Sequence, residues 1–232
     1  MFLSALQRLF RNDTRYPVGR VQRLVVSPFS FTEFLSAAGK QHMAEAIARR
    51  PEELSLNRHQ HLLDLYDQFL ETGGLPEVVC ARFRDEDYEK VLAQIIADYE
   101  ADFLRLFGEE AIHIVNACFR SVSNFVGSVS KNTSVIPNPG SHVNAKINEV
   151  FARLESWHLV LRSDQRGPSP EGGHQYLPKR YLFDTGVLRH LRESAVPPIG
   201  VAMSGPVAIR TILGGVIENQ TAIELAKAFP TF

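Results

Sequence analysis

Ser141-His-Val-Asn-Ala-Lys-Ile-Asn-Glu-Val-Phe-Ala-Arg-Leu154, followed by Leu159-Val-Leu-Arg162 and Gln175-Tyr-Leu-Pro-Lys-Arg-Tyr-Leu-Phe183, is the stretch on which the fold turns. Val143, Ile147, Val150, Phe151 and Leu154 recur at three and four residues, which predicts an amphipathic helix with Ser141 as its cap. Leu159–Arg162 and Gln175–Phe183 read as two strands. The loop between them, Ser163 to Gly173, holds Gly167, Pro168, Pro170, Gly172 and Gly173, so the strands form a hairpin with a long tip. A preceding helix over 109–121, a short one at 125–129 and a loop at 132–140 complete the order helix, turn, helix, hairpin. That is the order of a winged-helix module over residues 109–184.

Upstream of this module the pattern is helical. Ser30 or Thr32 caps a helix beginning near Glu33. Arg58–Thr72 carries Leu62, Leu63, Leu65, Tyr66, Phe69 and Leu70 on one broad face, and Gly73 follows as its C-terminal cap. Gly74-Leu75-Pro76 is a turn, and Pro76 opens a short helix. Asp85–Phe107 places Tyr88, Val91, Leu92, Ile95, Ile96, Tyr99, Phe103 and Leu106 at helical spacing. The N-terminal segment shows Phe2, Leu3, Leu6, Leu9 and Phe10 on one helical face, then a basic run from Arg8 to Arg23 and a short strand at Val21–Val26. Downstream come a short helix over 186–192, a Pro197-Pro198 break, and a helix over 204–228. The class is therefore mainly α, with an α+β portion.

Composition bounds function. The chain has 232 residues, 44% hydrophobic and 22% charged, with a net charge of −1. That is an ordinary globular balance, long enough to bury a core without staples. The chain as a whole does not advertise nucleic-acid binding through charge. Two cysteines, Cys80 and Cys118, exclude a disulfide scaffold and a cysteine-built zinc site, and fit a cytoplasmic setting. No apolar run reaches the ~18–20 residues of a membrane span.

Enzyme chemistry finds little support. Gly39-Lys40 is the only Gly-Lys pair, and the residue five before Gly39 is Phe34, so no Walker A phosphate loop exists. Leu182-Phe183-Asp184 looks like a strand ending in an acid, but Asp184 is better read as the cap of the next helix. His59 and His61 are two apart and point to different sides of a helix. No Gly-x-Ser-x-Gly elbow occurs. Catalytic and metal residues are accordingly expected to be none. Lys131, Lys146, Arg153, Arg162, Arg166, Lys179 and Arg180 are the candidate phosphate contacts, although Glu149 and Glu155 share the second helix and make it a mixed face.

The motifs also resemble a family. Tyr16-Pro-Val-Gly19-Arg20-Val21, Pro28-Phe-Ser-Phe-Thr-Glu33-Phe34-Leu35, Gly73-Gly74-Leu75-Pro76-Glu77, Tyr99 with Asp102, Ser130-Lys-Asn132-Thr133, Tyr181-Leu-Phe183-Asp184-Thr185-Gly186 and Gly214-Gly-Val-Ile-Glu218-Asn219 are similar, in order and spacing, to motifs of a prokaryotic AAA-type ATPase family. Those proteins carry a C-terminal domain of unknown function with a winged helix and a nuclease-like fold. The resemblance implies a remnant of the ATPase core at 1–35, a helical lid-like region at 36–108, the winged helix at 109–184 and a truncated start of the nuclease-like domain at 185–232. It implies Arg20 near the γ-phosphate of ATP in an intact relative, and Glu218 as the helix carboxylate of the nuclease-like fold.

This chain lacks the phosphate loop, so ATP and Mg are expected of intact relatives and not of this chain. The resulting expectation is a non-catalytic fragment of an ATP-binding protein whose relatives hydrolyse ATP and engage DNA. A stand-alone winged-helix DNA-binding regulator and a protein-interaction domain are the alternatives. DNA is expected as a weak partner. Self-association is expected through apolar faces at Leu3, Leu6, Phe10, Ile217, Ala222, Leu225 and Phe229, and no membrane is expected.

Overall fold

The computed structural model describes residues 26–49, 54–164, 177–192 and 195–229. The Phe2–Phe10 helix, the Val21–Val25 part of the first strand, Arg20 and Arg166 lie outside the described residues. Two short helices come first, α1 (Phe31–Ala37) and α2 (Gln41–Ala48). Ser30 caps α1 with a full capping box, its Oγ accepting from the Glu33 N–H while the Glu33 carboxylate accepts from the Ser30 N–H at 2.6 Å. Next come α3 (Leu56–Thr72), α4 (Pro76–Phe83) and α5 (Tyr88–Phe107). Gly73 ends α3 at φ +76°, and Pro76 opens α4, both as the sequence predicts. α5 starts three residues later than predicted. Asp85 sits in a left-handed turn at φ +59°, and the Asp87 carboxylate caps the helix instead, accepting from the Lys90 N–H.

The second half contains α6 (Ile112–Asn124), α7 (Asn132–Val135), α8 (Ser141–Ser156), β1 (Val160–Ser163), β2 (Lys179–Leu182), α9 (Thr185–Leu191), α10 (Ile199–Ser204) and α11 (Val207–Ala228). The protein is mostly helical, with one two-stranded antiparallel ribbon among the described residues.

Several predicted boundaries are corrected. α6 runs on to Asn124, so the helix predicted at 125–129 is a turn, with Gly127 at φ +78° and Val129 bridging Lys179 across the gap. Gly140, not Ser141, holds the N-cap position of α8, and no side chain caps it. β2 begins at Lys179, after Pro178, which has no N–H to give the ladder, and the predicted start at Gln175–Tyr176 lies outside the described residues. α11 starts at Val207, since the Gly205-Pro206 pair breaks it from α10.

One main core joins these elements. Phe103, Val115, Cys118, Phe119, Ile147, Val150, Phe151, Leu154, Leu182, Leu188 and Val216 are buried in it. Smaller clusters lie under α1 and α2, around Leu35 and Leu62, and around Phe34, Phe69 and Val79. α11 packs against α9, α10, α3 and both strands, and buries Leu213, Val216 and Ile223. Burial of each such side chain contributes roughly 1.5–3 kcal/mol.

The bare apolar face expected along α11 is therefore corrected in part. Ile217 and Ala222 pack partly buried on the main core, while Leu225 and Phe229 remain exposed. The end of α11 is also tied to the start of the described chain. Lys227 Nζ donates to the Pro28 carbonyl at 2.6 Å and to Glu33 at 3.0 Å.

Candidate functional site: a polar groove and a buried joint

A wide polar concavity lies between α7, α8 and the hairpin. It measures about 880 Å³. Lys131, Asn132, Asn144, Asn148, Arg162 and Arg180 supply most of its polar lining. α8 presents Asn144 and Asn148 one turn apart on one face because residues at i and i+4 stack. Asn132, at the start of α7, bridges them: its Nδ2 donates to Asn144 Oδ1 at 2.5 Å and to Asn148 Oδ1 at 2.9 Å.

The hairpin supplies the arginines. Its register sets Arg162 directly opposite Arg180, two like charges on one face. Such a pair is unfavourable alone. Glu155, projecting from the last turn of α8, resolves it. Its carboxylate accepts from Arg180 Nε at 2.9 Å and lies 3.7 Å from Arg162 Nη1. The Arg180 guanidinium also stacks over the Phe151 ring, 4.0 Å from its centre, and only 11% of its side chain is exposed.

The predicted phosphate contacts thus divide. Lys131, Arg162 and Arg180 meet in the groove. Lys146 and Arg153 do not; they flank Glu149 on another part of α8, each 3.0 Å from its carboxylate. Lys179 lies on the opposite face of the hairpin, where its Nζ donates to Glu218 at 2.8 Å. In the groove, Arg162 also pairs with Asp164 at 2.8 Å. Lys131 has no carboxylate partner among the described residues.

Other motif residues, Gly74, Asp184 and Asn219, gather in a buried joint between α3, α4, α9 and α11. Asp184 caps α9, as the sequence predicts, and does more. Its carboxylate accepts from the Val187 N–H at 3.0 Å and from the Gly74 N–H at 2.7 Å, 110 positions away. Burial pushes this carboxyl above its ordinary range, opposed by backbone N–H groups of Val187, Gly74, Gly186 and Leu75 that favour its charged form. Asn219 behaves as a strand neighbour to Leu182. Its Oδ1 accepts from the Leu182 N–H at 2.8 Å and its Nδ2 donates to the Leu182 carbonyl at 3.0 Å. Glu218 sits within α11. It accepts from Lys179 and from the Tyr181 hydroxyl, both at 2.8 Å. Burial raises its pKa, but these hydrogen bonds and the Lys179 charge prevail and hold it below the usual carboxylate value. Among the described residues, no three His, Cys, Asp or Glu side chains gather as a metal site.

With this geometry in place, comparison with known families is informative. Residues 63–197 match a domain of unknown function, DUF8612, over more than half of the chain. The chain belongs to the DUF8612 family. No curated protein and no solved structure matches it. The matched DUF8612 span runs from within α3 past α9, so it contains the groove, Gly73-Gly74 and Asp184, while Asn219 and Glu218 lie beyond it. No helix of the described residues is long and apolar enough to cross a membrane.

Sequence reasoning missed Asn144, Asn148 and the bridging role of Asn132. The signal available was the i, i+4 pair of amides on the exposed face of α8. It passes unnoticed beside charges, because an amide looks neutral until its partner fixes which end faces out.

Proposed function

We propose that this DUF8612 chain engages a nucleic-acid backbone, weakly, through a winged-helix module that uses the groove between α8 and the hairpin. The observation that carries this reading is the convergence of Lys131, Arg162 and Arg180 on one concavity, with Glu155 and Asp164 as the carboxylates that pair the two arginines. The order α6, α7, α8, hairpin supports it, because that order places a helix and a hairpin side by side for a duplex. The resemblance to AAA-type ATPases supports a setting in which ATP-driven parts lie outside this chain: no phosphate loop occurs in its 232 residues. Arg20 and Glu218 retain their resemblance-derived roles only within such an intact relative.

The test is fluorescence anisotropy with a labelled 20–30 base-pair duplex over a KCl series. Three phosphate contacts correspond to a log–log salt slope of about −2.7, or about a 40-fold loss of affinity between 50 and 200 mM salt. No binding at low salt, or affinity indifferent to salt, overturns the reading. Titration of Mg-ATP into the chain is expected to show no site tighter than ~100 μM, or about −5.5 kcal/mol.

A second reading, self-association, is favoured by Val201, Met203 and Val207 at the α10–α11 junction, exposed by 55%, 71% and 67%. Light scattering across a concentration series tests it; a monomer at all concentrations overturns it.

A further inference from the structure

We infer that the Asn132–Asn144–Asn148 cluster turns the floor of the groove into a donor-presenting subsite for phosphate oxygens, so that a bound ligand is held by its phosphate groups and not by its bases. The inference takes its macromolecular ligand from the nucleic-acid reading above, but its geometry stands without it.

A carboxamide has one oxygen that accepts and one nitrogen that donates twice. Asn132 spends both of its N–H donors inward, one on Asn144 Oδ1 and one on Asn148 Oδ1. Those two oxygens are therefore turned toward Asn132. The Nδ2 groups of Asn144 and Asn148, at the other limb of each amide, are left as the available ends. Asparagine reads adenine by donating and accepting together. Here the oxygens of Asn144 and Asn148 each already accept from Asn132, while their Nδ2 groups make no hydrogen bond among the described residues. Lys131, Arg162 and Arg180 line the same groove, and these are donors without acceptor capacity. Two carboxylates stand against these arginines: Glu155 accepts from Arg180 and faces Arg162, and Asp164 accepts from Arg162, so a phosphate oxygen shares or displaces them at the guanidinium groups. A site in which two amide N–H groups stand beside Lys131 and two arginines has a surplus of donors, which suits an oxyanion with several acceptor oxygens, a phosphate or phosphodiester.

Two sources of such a group exist, a nucleic-acid backbone and a free polyphosphate. The experiment separates them. The full chain is labelled with ¹⁵N, and the side-chain amide signals of Asn144 and Asn148 are followed while sodium tripolyphosphate, and separately a 16-base-pair duplex, are titrated in. Both amide pairs are expected to shift with each ligand. Duplexes rich in A·T and in G·C are expected to bind within about twofold of each other, since no base edge is read. Asn132→Leu, which unlocks both amides without adding charge, is expected to weaken each ligand about threefold. Asn148→Leu is expected to weaken each about threefold to tenfold, the size of one hydrogen-bond loss. Thermal melts of both variants serve as the folding control.

If the duplex binds while the two amides stay unmoved, the subsite is wrong and the nucleic-acid reading stands. If tripolyphosphate moves the amides and no duplex binds, the subsite stands and the nucleic-acid reading falls. A preference above about tenfold for A·T over G·C overturns the subsite, as does undiminished affinity in a folded Asn132→Leu.

Discussion

Gly73 and Gly108 form a matched pair that isolates one packing contact. Both follow a long helix as its C-cap, Gly73 at φ +76°, ψ −170° and Gly108 at φ +78°, ψ +169°. The backbone region is the same, and it is one that only glycine occupies comfortably, so alanine pays about 1–3 kcal/mol of strain at either position. The surroundings differ. A Cβ at Gly108 meets nothing within 4 Å. A Cβ at Gly73 falls 2.2 Å from Asp184 Oδ1 and 2.7 Å from the Gly186 nitrogen. Neither neighbour is a flexible tip: one is a buried carboxylate held by backbone N–H groups, the other is backbone. Overpacking of that kind adds about 1–3 kcal/mol, more if Asp184 loses its bond to Gly74. Gly73→Ala should therefore cost about 2–6 kcal/mol and Gly108→Ala about 1–3 kcal/mol. Gly214→Ala supplies the opposite control. It lies inside α11 with open space around its Cβ, and should gain about 0.5–1 kcal/mol. Urea denaturation followed by circular dichroism measures all three. If Gly73→Ala proves no more damaging than Gly108→Ala, the joint around Asp184 does not constrain the fold as the geometry requires.

Asn219→Ala removes both side-chain partners of the buried Leu182 backbone and should cost about 2–5 kcal/mol in the same assay; a loss under 1 kcal/mol refutes the role. Thiol labelling of the native chain should modify exposed Cys80 quickly and spare Cys118, whose thiol burial pushes up to about 12; equal rates contradict the core placement. The lowered pKa of Glu218 contributes stability that is present above its unfolded value of 4.5 and is lost as pH falls through the lower folded value, so Glu218→Gln should flatten acid unfolding below about pH 4.5; an unchanged acid limb refutes the pairing. Glu155→Gln takes the carboxylate from Arg180 and leaves Arg162 to Asp164 alone, and should lower stability by about 1–3 kcal/mol while steepening the salt dependence of duplex binding; a shallower slope argues that these arginines never reach phosphate.

What the sequence made legible follows from where information is local. Ser30, Gly73, Pro76 and Asp184 act within four residues of themselves, so their roles as caps and stops are readable from type and spacing. The 3.6-residue periods of α3, α5 and α8 are readable for the same reason. The long-range half of each role is not. Nothing near Gly74 announces that its N–H meets Asp184, and nothing near Asn219 announces a partner at Leu182. The apolar residues of α11 looked uncovered because periodicity gives a face but not what lies against it. For the groove, counting cations found all three of its basic residues. It also gathered Lys146, Arg153 and Lys179, because a tally of charge takes no account of the carboxylate beside each one.

The two sites are not independent, and the strand β2 says how they connect. Side chains alternate along a strand, so Lys179 and Tyr181 face α11, where both bond Glu218, while Arg180 between them faces the groove and bonds Glu155. Leu182, the last residue of β2, is held through its backbone by Asn219, and Asp184 two residues on is held to Gly74. The joint thus fixes the register of the strand from one face and one end. A slip of one residue would turn Arg180 toward α11 and bring Lys179 and Tyr181 to Phe151 and Glu155, emptying the groove of its most buried cation. A two-stranded ribbon four residues long has little register of its own. Gly74, Asp184, Glu218 and Asn219, which stand in motif-like stretches, act here as positioning residues. They hold a short ribbon in the one register that places Arg180 over Phe151, and the groove inherits its charge pattern from that constraint.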